Sequence, residues 1–169
     1  MQEVEIRAKV GCEILDKIKE IGGELKDVSE ISDHYYKFKH DEKRKLLIRV
    51  RRKNGKSFLT FKGEPKGNDD TTWDEWNQEI QNPEILEKLF LDNEVITLIN
   101  FEKKRYSFRL DKFEIIYDEI INYGNYIEAE LIDEEKSIAL KKLNELFNKL
   151  GINEEQIMNE GYVQHYIGR

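Results

Sequence analysis

Charged side chains recur at every second position along several stretches of this chain. Glu3, Glu5, Arg7 and Lys9 alternate with Val4, Ile6, Ala8 and Val10. Arg49 and Arg51 oppose Ile48 and Val50, and Lys62 shares parity with Thr60 and Phe58. Lys103, Arg105, Ser107 and Arg109 keep one parity through Leu110, provided that the chain stays extended there. Asp118 goes with Glu114 and Ile116, while Glu128 and Glu130 oppose Ile127, Ala129 and Leu131. Successive strand residues point to opposite sides of a sheet, so each stretch puts charge on one face and apolar groups on the other. A single strand of this kind is an ordinary solvated sheet face. Here basic pairs and acidic pairs segregate by strand. Grouped lysines and arginines suit a polyanion, and grouped carboxylates suit a hard divalent cation. A triphosphate with Mg²⁺ or Mn²⁺ supplies both.

The elements that must hold these residues follow from periodicity. Extended segments are expected over 2–10, 28–40, 45–53, 56–63, 72–81, 95–107, 108–119 and 123–132, which alternate or are rich in β-formers. Most connections are too short for parallel crossovers, so the sheet is expected to be antiparallel. Asn54-Gly55 predicts a tight hairpin, and Gly63 to Asp70 reads as a surface loop. Three segments have helical period. Ile14, Leu15, Ile18 and Ile21 form one stripe, ended by Gly22-Gly23. Asn82-Pro83 opens a second helix with Ile85, Leu86, Leu89 and Phe90 on one face. A third runs from Glu134 to Leu150, with Ile138, Leu140, Leu143, Leu146, Phe147 and Leu150 inward; a short fourth is placed at 154–158. Eight strands tend to curl, and closure would gather the charged faces around a lumen. The expected fold is α+β: a closed eight-stranded antiparallel β-barrel with amphipathic helices packed outside.

Composition bounds the alternatives. The chain has 169 residues, read as a single domain over 1–169, and 37% of them are charged. Its 28 basic and 35 acidic residues give a net charge of −7, which argues against a nucleic-acid partner. The one cysteine, Cys12, fits a reducing compartment and is expected to be a small buried hydrophobe. Met1 to Glu5 has no signal-peptide pattern and no apolar run approaches a membrane span, so a cytoplasmic protein with no membrane partner is expected. A monomer or homodimer fits equally. His34, His40 and His165 are too scattered to suggest a metal site.

The residues resemble a known family. Glu3-Val4-Glu5-Ile6-Arg7 resembles the E-x-E-x-K opening of the CYTH superfamily, the triphosphate tunnel metalloenzymes. Leu47-Ile48-Arg49-Val50-Arg51 is similar to its L-R-x-R strand, Thr60-Phe61-Lys62-Gly63 to its T-x-K-G strand, and Glu102-Lys103-Lys104-Arg105 to its K-x-R strand. Asp118, then Gly124-Asn125-Tyr126-Ile127-Glu128-Ala129-Glu130, resembles the closing element, and Gly161-Tyr162 a C-terminal one. The compact length most resembles the branch of class IV adenylyl cyclases and their relatives.

The resemblance implies a metal-dependent enzyme acting on a triphosphate-bearing small molecule, with Mg²⁺ or Mn²⁺ as cofactor. Arg49, Arg51, Lys62, Lys103 and Arg105 become phosphate ligands, joined by Arg7 and Lys9. Glu3, Glu5, Asp118, Glu128 and Glu130 become the metal-side carboxylates, Glu5 and Glu128 foremost. Glu5, Arg7, Asp118 and Glu79 are the implied catalytic set, Glu79 matching an interior acid of the fifth strand. Two departures stand out: Arg7 replaces the motif lysine and cannot act as a base, and Asn77 stands where the family often has arginine. Trp73 and Trp76 read as wall packing, as do Tyr35 and Tyr36. Two reactions fit: cyclisation of ATP to cyclic AMP and pyrophosphate, placed first, or hydrolysis of tripolyphosphate, thiamine triphosphate or a nucleotide. A non-catalytic polyphosphate- or nucleotide-binding module is the third reading. Converging like charges are expected to repel one another, so Arg51→Ala is expected to cost little stability.

Overall fold

A computed structural model describes residues 3–41, 46–65, 73–132, 135–158 and 160–167. In chain order the elements are β1 (Glu3–Val10), α1 (Ile14–Glu20), β2 (Glu24–Phe38), β3 (Leu47–Lys53), β4 (Lys56–Pro65), β5 (Trp73–Ile80) and α2 (Pro83–Asp92). There follow β6 (Val95–Leu110), β7 (Phe113–Ile120), β8 (Gly124–Ile132), α3 (Lys136–Lys149), a 3-10 turn at Glu154–Gln156, β9 (Ile157–Met158) and α4 (Tyr162–Ile167). The chain divides into two compact units. Unit one holds residues 1–29 and 103–161, and unit two holds 30–102 and 162–169.

The strand order is β5-β4-β3-β2-β6-β7-β8-β1-β9. The pairs β2–β3, β3–β4, β4–β5, β6–β7 and β7–β8, which follow one another in the chain, are antiparallel, and so is β1–β8. The expected α+β, antiparallel architecture holds. The expected closed eight-stranded barrel does not: the ladder has nine strands and, among the described residues, ends at β5 and β9. The second edge of β1, which a closed barrel would need, is taken at Arg7 and Ala8 by Met158 and Ile157. The Gln156 side-chain amide donates to the Lys9 carbonyl (3.3 Å) and seats that segment there.

In unit one, the parity of β1 and β8 decides the packing. Val4, Ala8, Ile127, Ala129 and Leu131 are buried with Ala139, Leu143, Leu146 and Phe147 of α3 and Ile14 and Ile18 of α1. Ile138, expected inward, is 47% exposed; Ala139 takes the inward position. Strand β6 runs unbroken to Leu110, beyond the expected break at 107, and turns at Asp111, whose φ is +49°. Cys12 is exposed, not buried, because it lies in the turn before α1 and the inward positions fall to Ile14 and Ile18.

In unit two, β3 and β4 meet in the expected Asn54-Gly55 hairpin, both residues having positive φ (52° and 76°). Ile48, Val50 and Leu59 form its core with Tyr36 and Val95, packed against Leu86 and Phe90 of α2. Ile85 and Leu89, expected on that same helix face, are 62% and 53% exposed. The helix is turned because Glu87 points at the sheet. Its carboxylate accepts from the Tyr36 hydroxyl (2.7 Å) and both terminal nitrogens of Arg52, and it contacts His34 Nδ1 (2.7 Å). Burial raises the Glu87 pKa, but the bonds from Arg52, Tyr36 and His34 outweigh it and leave the group below its ordinary value. Glu87→Ala strands three polar partners at a part-buried site. It is expected to cost roughly 2–4 kcal/mol, read as a lower midpoint in urea at unchanged m-value.

Candidate active site

In unit one the antiparallel register builds the site row by row. Glu5 lies opposite Glu130, which lies opposite Glu114; Arg7 lies opposite Glu128; Lys9 lies opposite Tyr126, which lies opposite Asp118. These residues share one face because directly paired residues do. Arg7 is 9% exposed, contacts Glu5, and has Nε 3.3 Å from Glu128. Arg105 stands 4.0 Å from Glu128 and binds Asp118 through Nε (2.7 Å) and Nη2 (2.6 Å). Lys103, 3% exposed, donates to the same carboxylate at 3.0 Å. Burial raises the Asp118 pKa, yet the charges of Lys103 and Arg105 and their hydrogen bonds hold it well below the usual carboxylate range. Asp118 thus gives both oxygens to cations. Lys9 is exposed, its ammonium 5.9 Å from the Tyr126 ring centre. The Glu3 side chain lies outside the described residues.

In unit two the cations come with carboxylates that the alternation did not reveal. Asp33 of β2 lies opposite Arg51 and accepts from its Nε (2.6 Å) and Nη2 (2.7 Å). The Asp33 carboxylate is fully buried. Like-charge repulsion therefore does not govern Arg51, and the expectation that its removal costs little stability is overturned. Arg49 donates to Thr60 Oγ1 (3.0 Å), and Thr60 in turn donates to Asn77 (2.9 Å). Glu75 of β5, which lies opposite Lys62, accepts from Lys62 (2.8 Å) and from Arg49 (3.4 Å). Burial raises the Glu75 pKa, and the charges of Lys62, Arg49 and Arg51 outweigh it to leave the acid lowered. The buried Nε of Arg49 has no acceptor among the described residues. An orphaned buried donor of this kind suits a ligand oxygen.

Glu79 shares the face of Glu75 and Asn77 but is half-exposed and pairs with Lys56 at 3.1 Å. Tyr35 packs edge-on against Phe101 (5.9 Å) and lies opposite Arg49. Burial first, then the Asp33 charge, pushes its phenol up to about 12, so it stays a neutral hydroxyl. Trp76 is 51% exposed and lies tilted by 36° against Phe61 (5.6 Å between ring centres), a surface contact and not a buried wall position, and the Trp73 side chain lies outside the described residues. Asp33 and Glu75 are the site residues that alternation missed. Each shares parity with a residue the sequence had marked, Tyr35 and Asn77.

The donor set can be tested for a divalent cation. Glu5, Glu128 and Glu130 are oxygen donors on one face, the ligand type that Mg²⁺ and Mn²⁺ prefer. Glu5, Glu130 and Glu114 stand in one cross-strand row, in which Glu5 contacts Arg7 and Glu114 pairs with Arg109 at 2.6 Å. Among the described residues, no group of three His, Cys, Asp or Glu side chains could hold an ion by itself. By themselves these carboxylates make no closed cation site, and a cation there needs further oxygen ligands.

Such a sheet, with cations on β3, β4 and β6 and carboxylates on β1 and β8, has relatives. Residues 1–162 match the CYTH domain, and the chain belongs to that family. It is 23% identical over 171 residues to a Methanocaldococcus jannaschii protein named as a candidate adenylate cyclase, covering 97% of this chain and 98% of that one. Its fold is similar to a Pyrococcus horikoshii protein (TM-score 0.83, 24% identity, 96% and 98% of the two chains). It is also similar to a Hippeastrum protein named as a candidate adenylyl cyclase and described as having a dominant triphosphatase activity (TM-score 0.72, 17% identity, 99% and 95%). No helix among the described residues is long and apolar enough to cross a membrane.

Proposed function

We propose that this chain acts as one CYTH domain, a metal-dependent enzyme on a triphosphate substrate. The observation that carries this reading is the gathering of Arg49, Arg51 and Lys62 on one sheet face, with a buried Arg49 Nε that has no acceptor among the described residues. In unit two Arg49, Arg51 and Lys62 bind phosphate oxygens; in unit one Arg105, Arg7 and Lys9 have that role, and the buried Lys103 backs them through Asp118. Glu5 and Glu128 hold the cation, and Glu130 and Glu3 complete the carboxylate set that the family resemblance implies. When bound, the cation supplies charge neutralisation and acidifies the attacking hydroxyl or water. Asp118 enters as the group that holds Lys103 and Arg105 in place. Arg7, wedged between Glu5 and Glu128, orients phosphate and does not remove a proton. Glu79 is the peripheral acid of the set.

The preferred reaction is attack of the ATP ribose 3′-hydroxyl on the α-phosphorus, giving cyclic AMP and pyrophosphate. The likeness to the M. jannaschii protein over nearly the whole chain supports it. The activity described for the Hippeastrum neighbour favours, as the second reading, hydrolysis of the terminal phosphoryl group. Incubation with ATP, tripolyphosphate and thiamine triphosphate in Mg²⁺ or Mn²⁺, followed by assay for cyclic AMP and phosphate, separates the two. Glu128→Gln is expected to abolish turnover while the circular dichroism spectrum and melting curve stay native. Full activity in excess chelator would overturn the metal-dependent reading.

A further inference from the structure

Glu75 stands between two of the cations assigned to phosphate, and no motif places it there. Its Oε1 faces Arg49 Nη2 at 3.4 Å and its Oε2 faces Lys62 Nζ at 2.8 Å. One oxygen per cation is the arrangement that two non-bridging oxygens of a phosphoryl group would adopt. A second carboxylate of this face, Asp33, is different in kind: fully buried, and bound in a fork to Arg51 at 2.6 and 2.7 Å. Glu75 has a side chain 35% exposed, longer contacts, and a place on β5, an end strand of the ladder. The β4–β5 register shifts between Lys62 and Pro65, next to its pairing position. Asp33 is a permanent partner; Glu75 is a displaceable one.

We propose that Glu75 is a built-in competitor of the substrate's phosphoryl groups, lying on Arg49 and Lys62 until an incoming anion displaces it. The inference rests on the triphosphate reading above. Taken by themselves, Arg49, Arg51 and Lys62 set against Asp33 and Glu75 sum to a single net positive charge. An anion that drives Glu75 aside raises that to two. Every phosphate anion meets the same competition, so it falls hardest on those with few other contacts. A triphosphate reaches further cations and withstands it; pyrophosphate or orthophosphate does not. Glu75 therefore weakens every phosphate anion by the same factor, which leaves a triphosphate bound through its further contacts and short products weakly held.

The test is calorimetric titration of tripolyphosphate and of pyrophosphate, in EDTA and at low salt, into the native protein, Glu75→Gln and Glu75→Asp. Glu75→Gln keeps the shape and removes the charge. It is expected to bind both anions about tenfold tighter, the usual scale for removing one part-exposed competing charge. Pyrophosphate inhibition of turnover should strengthen by the same factor. Glu75→Asp, too short to span both cations, should fall between, and it carries the test if Glu75→Gln does not fold. A merely structural Glu75 would give the opposite sign, since its loss would let Arg49 and Lys62 wander. Equal or weaker binding by the variants, with binding by the native protein intact, overturns the competitor role alone. Absence of binding of either anion by all three proteins overturns the triphosphate reading along with it.

Discussion

Arg51→Ala is expected to destabilise the protein by roughly 3–5 kcal/mol, the usual consequence of leaving one partner of a buried ion pair alone. The Asp33 carboxylate is fully buried and holds Arg51 through both of its oxygens. Without the guanidinium, a desolvated carboxylate on the same strand face as Tyr35, itself 4% exposed, loses both of the bonds it takes from Arg51. For a chain of this length each kcal/mol moves the melting temperature by about 2–4 °C, so a fall of roughly 6–20 °C should appear in a thermal scan. The double change Asp33→Asn with Arg51→Met removes both charges and should recover most of that loss. Neither the single nor the double variant should bind tripolyphosphate as the native protein does. A single variant as stable as the native protein would show that Asp33 is solvated or otherwise paired.

The difference between this outcome and the mutual repulsion that the sequence suggests has a definite physical origin. Alternation along one strand reports which face a side chain takes, because the pleat has period two. It reports nothing about which residue of the next strand lies opposite. That is fixed by hairpin register, and register put Asp33 against Arg51 and Glu75 against Lys62. The rows of unit one were more legible. Glu5, Arg7, Glu128 and Glu130 kept the faces that parity assigns them, and the helices covered the opposite, apolar face.

Sheet closure was not legible for a related reason. Eight alternating strands state a preference for curling, but closure depends on what occupies the edge of β1. Here a two-residue strand from beyond α3 occupies it, and two residues have no periodicity to read. The face of α2 was misassigned by the same limit. Ile85 and Leu89 satisfy the helical period as well as Leu86 and Phe90 do. The choice was made by Glu87 meeting Arg52, Tyr36 and His34, a polar network that a count of apolar spacings passes over.

Asp118→Asn is expected to have the largest effect in unit one, and its pH dependence identifies the cause. The carboxylate is 1% exposed, and it serves the wholly buried Lys103 ammonium and the Arg105 guanidinium at once. Asparagine can accept from one of them but neutralises neither, so a loss of roughly 3–5 kcal/mol at neutral pH is expected. The folded pKa of Asp118 is depressed below its ordinary 3.8. An acid depressed by folding binds its proton more readily in the unfolded chain. Its contribution is therefore complete well above pH 3.8 and is lost as the pH falls below that value toward the folded one. Urea denaturation of both proteins at pH 7, 5 and 3 should show a constant gap between the first two and a narrower one at the third. A gap that stays the same down to pH 3 would mean that the asparagine variant suffers from altered packing, and that charge compensation of Lys103 and Arg105 is not what Asp118 supplies.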